Sequence, residues 1–130
     1  MKRRILALAL CTTLPWPAAA NPVQDSYRSA ARQENPAFTE FSATRGDAFY
    51  RARTGDVSCA TCHGDSPKAH GRHASTGKDI LPMAPVANAE RFTDAAKVEK
   101  WFKRNCSDVL KRACTATEKG DFIAYLSSVK

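Results

Sequence analysis

Apolar positions along this chain recur at helical spacing in three stretches, and nowhere do they alternate as a half-buried strand requires. Phe38, Phe41, Ala48, Phe49 and Tyr50 form a broken helical stripe running through Thr54, and Thr54-Gly55-Asp56 ends it. Val98, Trp101, Phe102 and Asn105 follow the i, i+3, i+4, i+7 spacing of one helix face, with Lys97, Lys100 and Arg104 mainly on the other side. Thr93 offers an N-cap to that helix, and Asp94 a first-turn charge that suits its dipole. Thr115 and Glu118 make a capping-box pattern opening a last helix, with Phe122, Ile123, Tyr125 and Leu126 as its buried side. Residues 21–36 are polar, end at Asn35-Pro36, and predict a loose helix or arm. Residues 64–92 contain Gly64, Gly71, Gly77, Pro67, Pro82 and Pro85 without a sustained period, and predict loop with at most one short helical turn. The pattern is that of an all-α domain of four to five helices, with no strand.

Two features qualify that outline. Gly46 stands three residues before Phe49 inside a predicted helix, where glycine costs about 1 kcal/mol relative to alanine. Its presence there predicts the close approach of another backbone. A loop as long as 64–92 is unusual in a small domain unless it wraps around something.

The N-terminus reads as an export signal: Lys2, Arg3 and Arg4, an apolar stretch from Ile5 to Leu14, and a small-residue cleavage site at Ala18-Ala19-Ala20. The apolar stretch is shorter than the roughly 20 residues that span a bilayer. Cys11 follows Leu10, whereas lipid-attachment sites want a small preceding side chain. The expected organisation is a cleaved signal over residues 1–20, an arm over 21–36 and one domain over 37–130, with a soluble periplasmic product. Of 20 basic and 13 acidic residues, three basic ones lie in the signal, which leaves 17 − 13 = +4. That modest excess, with no basic run interleaved with stacking aromatics, favours acidic protein partners over nucleic acid.

Removing the signal also removes Cys11 and leaves Cys59, Cys62, Cys106 and Cys114, an even number in an exported chain. The first two belong to Cys59-Ala60-Thr61-Cys62-His63. In this pattern two thiols three apart add across two haem vinyl groups, and the adjacent imidazole is brought beneath the iron. The expected cofactor is one covalent haem c (heme c), with Cys59 and Cys62 as thioether attachment points and His63 as proximal iron ligand. The haem would supply the core around which residues 64–92 wrap. A Cys-x-x-Cys also occurs in zinc sites and redox dithiols. His70 and His73 keep a zinc site as an alternative, whereas a thioredoxin-like dithiol wants a strand–turn–helix setting that is absent. Cys106 and Cys114, eight positions apart, are close enough in sequence for a local disulfide, with two buried free thiols as the alternative.

The sixth iron ligand separates the functions open to such a protein. Met83, in Ile80-Leu81-Pro82-Met83-Ala84-Pro85, is the residue type used by electron-transfer cytochromes c, yet only 20 residues separate it from His63. His70 and His73 lie closer still to the motif, in a Lys/Arg/Gly-rich stretch suited to solvent. Asn105 shares the helix stripe that would lie against a flat apolar ligand, although an Asn near a helix end also serves as a cap.

Thr76-Gly77-Lys78-Asp79-Ile80, Pro82 to Pro85, Arg91-Phe92-Thr93-Asp94, Val98-Glu99-Lys100-Trp101, and Arg104-Asn105-Cys106 through Cys114-Thr115 together resemble the SHP-type (sphaeroides haem protein) class I cytochromes c. The likeness spans roughly residues 40–128, and its Arg-Asn-Cys segment is the most specific part. The resemblance implies the class I cytochrome c fold wrapped around one haem, with Gly46 and Phe49/Tyr50 as the first-helix signature packing near Tyr125. It implies Asn105 as ligand to ferric iron beside a Cys106–Cys114 disulfide. The Asn would leave on reduction, admitting oxygen or another diatomic gas. It also implies redox partners, a dihaem cytochrome c and a membrane b-type cytochrome. Met83 departs from the family pattern.

Three functions follow: an electron carrier with a displaceable ligand, a plain electron carrier with Met83 or a His permanently on the iron, and an oxygen- or nitric-oxide-reducing enzyme. No distal His–Arg or carboxylate pair is placed for proton delivery, Arg104 and His70 being weak candidates, so a non-enzymatic, monomeric carrier is the expectation. An amide oxygen is a hard, weak donor that suits ferric iron better than ferrous.

Overall fold

The computed structural model describes residues 21–130, so the expected signal over residues 1–20 lies outside the described residues. Six helices occur among the described residues: α1 (Pro22–Ser26), α2 (Arg28–Glu34), α3 (Ala43–Arg51), α4 (Cys59–His63), α5 (Ala95–Leu110) and α6 (Ala116–Ser128). The architecture is mainly helical, as the periodicity predicts. A two-stranded antiparallel ladder, β1 (Gly71–Arg72) against β2 (Asp79–Ile80), interrupts the segment that periodicity assigns to loop. Two residues per strand are too few for alternation to register, which is why the pattern misses it.

The core forms where α3 crosses α6. Tyr50, Ile123 and Leu126 are fully buried, and Tyr50 meets Tyr125 with ring centroids 5.5 Å apart. Gly46 makes the crossing possible, since a Cβ there would run into the Asp121 carbonyl and the Tyr125 side chain. Asp121, itself buried, accepts from the Ser42 amide at 2.7 Å and from Arg45 Nε at 2.6 Å. A buried carboxylate is tolerated here because each oxygen finds a donor.

The arm over 21–36 forms α1 and α2, which dock on α6. Val23 and Ala31 are buried, Gln24 donates to the Gly120 carbonyl at 2.9 Å, and the Ala116 amide donates to Glu34 at 2.7 Å. Thr115 and Glu118 make the expected capping box. At α5 the N-cap is Asp94 instead of Thr93, its Oδ1 accepting from the Lys97 amide at 2.9 Å. The helix also runs five residues beyond Asn105, ending where Lys111 turns left-handed at φ 59°. It joins the core through side chains, Phe102 meeting Phe122 edge-on at 5.6 Å and Tyr27 at 6.0 Å.

Candidate functional site

Residues Cys59–His63 form α4, a single tight helical segment. Ser58 Oγ accepts from the Thr61 amide at 3.3 Å, and Thr61 Oγ1 accepts from the Ser58 amide at 2.9 Å. That reciprocal cap satisfies donors a five-residue helix would otherwise leave bare. Cys59 and Cys62 stand three apart and therefore share a face. Both are half-buried free thiols. Gly64, at φ 76°, ends the helix directly after His63. Gly71 of β1 presses on the Cys62 carbonyl and the His63 Cα, where any side chain would collide. The Ala74 amide lies 3.4 Å from Cys62 Sγ as donor. The turn is thus braced before, behind and on its sulfur side.

Burial sets the chemistry of these groups. It pushes the Cys59 thiol up to about 11, so the sulfur is held uncharged, as it is in a thioether. Burial, with a smaller push from the Arg91 guanidinium, lowers the His63 imidazole to about 4. A neutral imidazole is the form that ligates metal. His63 Nδ1 is buried without a hydrogen-bond partner among the described residues. Two thiols and a neutral imidazole on one turn make a donor set that fits a c-type haem. Leu81, Val86 and Trp101 are large apolar residues exposed at 57%, 61% and 44%, and two of these belong to the segment expected to wrap a flat apolar group.

The candidate sixth ligands differ in their surroundings. His70 Nδ1 lies 2.8 Å from Asp79 Oδ2, across the β1–β2 pair. His73 Nδ1 accepts from the Thr76 amide at 3.3 Å. Met83 is half-buried against the core cluster, its amide donating to the Pro67 carbonyl at 2.8 Å. On α5 the expected stripe divides: Phe102 and Cys106 are buried and Val98 half-buried, whereas Trp101 and Asn105, one turn apart, lie exposed along its edge. Among the described residues the Asn105 amide makes no hydrogen bond. Cys106 and Cys114 form a disulfide with Cα atoms 5.7 Å apart. Among the described residues no three His, Cys, Asp or Glu side chains converge as an ordinary metal site.

Two residues of the site escape the sequence patterns. Tyr50 reads as core, yet its hydroxyl donates to the Gly64 carbonyl at 2.6 Å. Arg91 lies in a stretch without period, and its Nε and Nη2 donate to the Pro82 and Leu81 carbonyls, both at 2.8 Å. Phe92 follows it with φ 60° and a buried ring, a backbone state that no sequence pattern announces for a non-glycine residue.

Residues 36–126 match a family model described as a domain of unknown function (DUF1924). Cytochrome c'' of Methylophilus methylotrophus is 40% identical over 105 residues, covering 77% of this chain and 73% of the relative. Cytochrome c-type protein SHP of Cereibacter sphaeroides is 41% identical over 126 residues, covering 93% of this chain and 96% of the relative. The crystal structure of oxidised cytochrome c'' from M. methylotrophus matches with a TM-score of 0.75 at 38% identity, covering 83% of this chain and 92% of that one. The structure of oxidised SHP, described as an oxygen binding cytochrome c, matches with a TM-score of 0.72 at 41% identity, covering 82% and 93%. A solution structure of cytochrome c'', concerned with haem-ligand detachment, matches with a TM-score of 0.71.

Proposed function

Since this chain belongs to the family of SHP-type class I monohaem cytochromes c, which carry one covalently bound haem, we propose that it is an electron carrier whose sixth ligand, Asn105, gives way on reduction. Cys59 and Cys62 hold the haem by thioethers, and His63 is its proximal ligand. Asn105 is the distal ligand of the oxidised state, with Met83 the alternative. When bound, the haem supplies one-electron chemistry and a metal position open to exchange.

The observation that carries this reading is the setting of Asn105. Among the described residues its side chain has no hydrogen-bond partner, and it stands one residue before Cys106, whose disulfide to Cys114 ties α5 to the start of α6. A weak ligand needs a rigid support, because a floppy one pays ordering entropy each time it binds. Asn105 would supply an amide oxygen, a hard donor matched to ferric iron and poorly matched to ferrous iron. His63, neutral and braced by Tyr50 and Gly71 through its neighbours, stays in place. The detachment studied in cytochrome c'' and the oxygen binding ascribed to SHP support the same sequence of events here.

The functions that follow are electron transfer and, in the reduced state, binding of oxygen or another diatomic gas, without substrate turnover. The partners are redox proteins, specifically a dihaem cytochrome c and a membrane b-type cytochrome, met in the periplasm after signal cleavage at Ala20. Domain limits at 37 and 130 belong to the same reading.

Absorption spectra of oxidised and reduced protein, with and without carbon monoxide, test it. The expected result is a high-spin ferrous spectrum that shifts on adding carbon monoxide. A low-spin ferrous spectrum indifferent to carbon monoxide would assign the position to Met83 or a histidine. A polypeptide mass without a haem adduct would remove the attachment at Cys59 and Cys62.

A further inference from the structure

Helix α5, which carries Asn105, is held differently from the rest of the fold. Among the described residues no backbone hydrogen bond joins it to another element, and one side chain, Glu99, makes every side-chain hydrogen bond that does. The Glu99 carboxylate accepts from the Tyr27 hydroxyl at 2.9 Å and from Lys119 Nζ at 2.8 and 2.9 Å. Tyr27 joins α1 to α2 and Lys119 belongs to α6, so three separate parts of the chain meet at one carboxylate. Lys119 Nζ also lies 5.2 Å from the Tyr27 ring centroid and 6.0 Å from that of Phe102, within the range of cation–π attraction. Its side chain is only 15% exposed, and a pair with one partner largely desolvated is screened less than a fully exposed one.

Glu99, Phe102 and Cys106 follow the i, i+3, i+7 spacing of one face of α5. Each is fastened: Glu99 to Tyr27 and Lys119, Phe102 against Phe122 and Tyr27, Cys106 by the disulfide. A disulfide alone is one point of attachment, about which a helix can pivot. Glu99 lies seven residues from it, or about 10 Å along the axis, and two points so separated fix both tilt and rotation. Asn105 is one residue from Cys106, about 100° round the helix. The rotation of α5 therefore decides where its amide points.

We propose that Tyr27, Glu99 and Lys119 form a positioning clasp that sets the rotation of α5 and so aims the Asn105 amide, which gives the arm over residues 21–36 a part in ligand exchange. The proposal rests on Asn105 being the sixth ligand of the oxidised haem. None of the three residues hydrogen-bonds to Asn105 or to the Cys59–His63 turn among the described residues, so the effect is carried by the helix. A weak ligand holds only while it is aimed in advance, because ordering it anew costs entropy at each binding. Loosening the clasp thus releases the amide from ferric protein. The ferrous state, which the amide has already left, does not change.

The test compares haem-loaded wild type with Glu99→Ala, Lys119→Met, Lys119→Arg and the arm control Arg28→Gln, which breaks the Asp25–Arg28 pair and leaves the clasp intact. Asn105→Ala is recorded first. An unaltered ferric spectrum there would refute the ligand reading, and amide exchange in α5 would then decide the clasp alone. With that reading standing, the ratio of amide-ligated to amide-free ferric protein is expected to fall at least about fivefold in Glu99→Ala and Lys119→Met, the lower end of coupling between sites. Lys119→Arg, which keeps the cation, and Arg28→Gln stay within about twofold of wild type. The affinity of ferrous protein for carbon monoxide stays within about twofold throughout, which a general loss of structure would not allow. Hydrogen exchange of the α5 amides quickens at least about tenfold in Glu99→Ala, through local opening. A ferric ratio in Glu99→Ala within about twofold of wild type, or one matched by Arg28→Gln, overturns the proposal. So does unchanged exchange in α5, or a ferrous affinity that moves with the ferric ratio. If Glu99→Ala does not fold, Glu99→Gln keeps an acceptor for Tyr27, loses the ion pair, and takes its place.

Discussion

The Tyr50 hydroxyl donates to the Gly64 carbonyl at 2.6 Å, so the innermost residue of α3 holds the peptide that immediately follows His63. Tyr50 is fully buried, and burial raises its hydroxyl far above the ordinary tyrosine value, so it remains a donor at any physiological pH. The α3–α6 crossing thereby determines where the imidazole-bearing turn ends. Tyr50→Phe keeps the ring and removes only this bond. The expected loss is about 1–2 kcal/mol of stability, the range for stranding one partner of a buried hydrogen bond. Chemical denaturation of the holoprotein measures it, and an unchanged midpoint would show that the bond contributes nothing net.

Gly46→Ala isolates the helix crossing itself. A methyl there meets the Asp121 carbonyl and the Tyr125 Cβ, both parts of α6 that cannot rotate aside. Overpacking of this kind costs about 1–3 kcal/mol, against a gain of about 1 kcal/mol in helix propensity. Net destabilisation is expected in thermal unfolding. A melting temperature above that of wild type would mean that α3 and α6 separate more easily than their packing suggests.

How far the sequence could be read follows from these contacts. Gly46 was legible because a glycine inside an amphipathic helix needs a reason, and Thr115 with Glu118 because a capping box is local in sequence. The Cys59–His63 motif was legible because its chemistry demands fixed spacing. Arg91 and the Tyr50–Gly64 bond were not, since each joins residues whose nearness depends on the whole fold. The β1–β2 ladder was too short for a period of two to show. The N-cap of α5 fell one residue late because Thr93 and Asp94 are both competent caps, and only the backbone decides between them.

The Cys106–Cys114 disulfide closes a small loop between α5 and α6. Replacing both cysteines by serine is expected to cost about 2–3 kcal/mol, the entropy of that closure in the unfolded chain. The same variant should soften the support of Asn105, so its ferric spectrum should shift toward high spin at temperatures well below unfolding. Denaturant midpoints and temperature-dependent absorption read the two effects separately. A large stability loss with an unaltered ferric spectrum would confine the disulfide to a structural role.

Acid should weaken the start of α6 through Glu118. Burial pushes its carboxyl up, but hydrogen bonds from Arg112 and Thr115 outweigh that and hold it below the usual carboxylate value. Arg112 Nη2 lies 2.6 Å from Glu118 Oε1. A folded-state value below the unfolded one, about 4.3, means the stabilisation is fully present above about pH 5 and is lost as pH falls through the folded value. Glu118→Gln should therefore be less stable than wild type at neutral pH and converge with it as pH falls through the folded value. Parallel stability curves from pH 6 to 3 would show that the carboxylate contributes nothing.

Asn105→Ala bears most directly on function. Asn105 lies exposed on α5 beside Trp101, and its amide has no protein partner to lose among the described residues, so alanine should leave folding within about 0.5 kcal/mol of wild type, as for an ordinary surface change. The oxidised protein, by contrast, should lose its distal oxygen and show a high-spin or water-ligated ferric spectrum. The reduced protein should resemble the wild type, because the proposed ligand has already left in that state, and should still bind carbon monoxide. Met83→Ala supplies the complementary measurement and should leave both spectra unchanged. If instead Met83→Ala alters the ferric spectrum while Asn105→Ala does not, the sixth ligand is the thioether and the protein is a plain electron carrier. The asymmetry between oxidation states separates a displaceable amide from a permanent ligand, since removing a permanent ligand alters both.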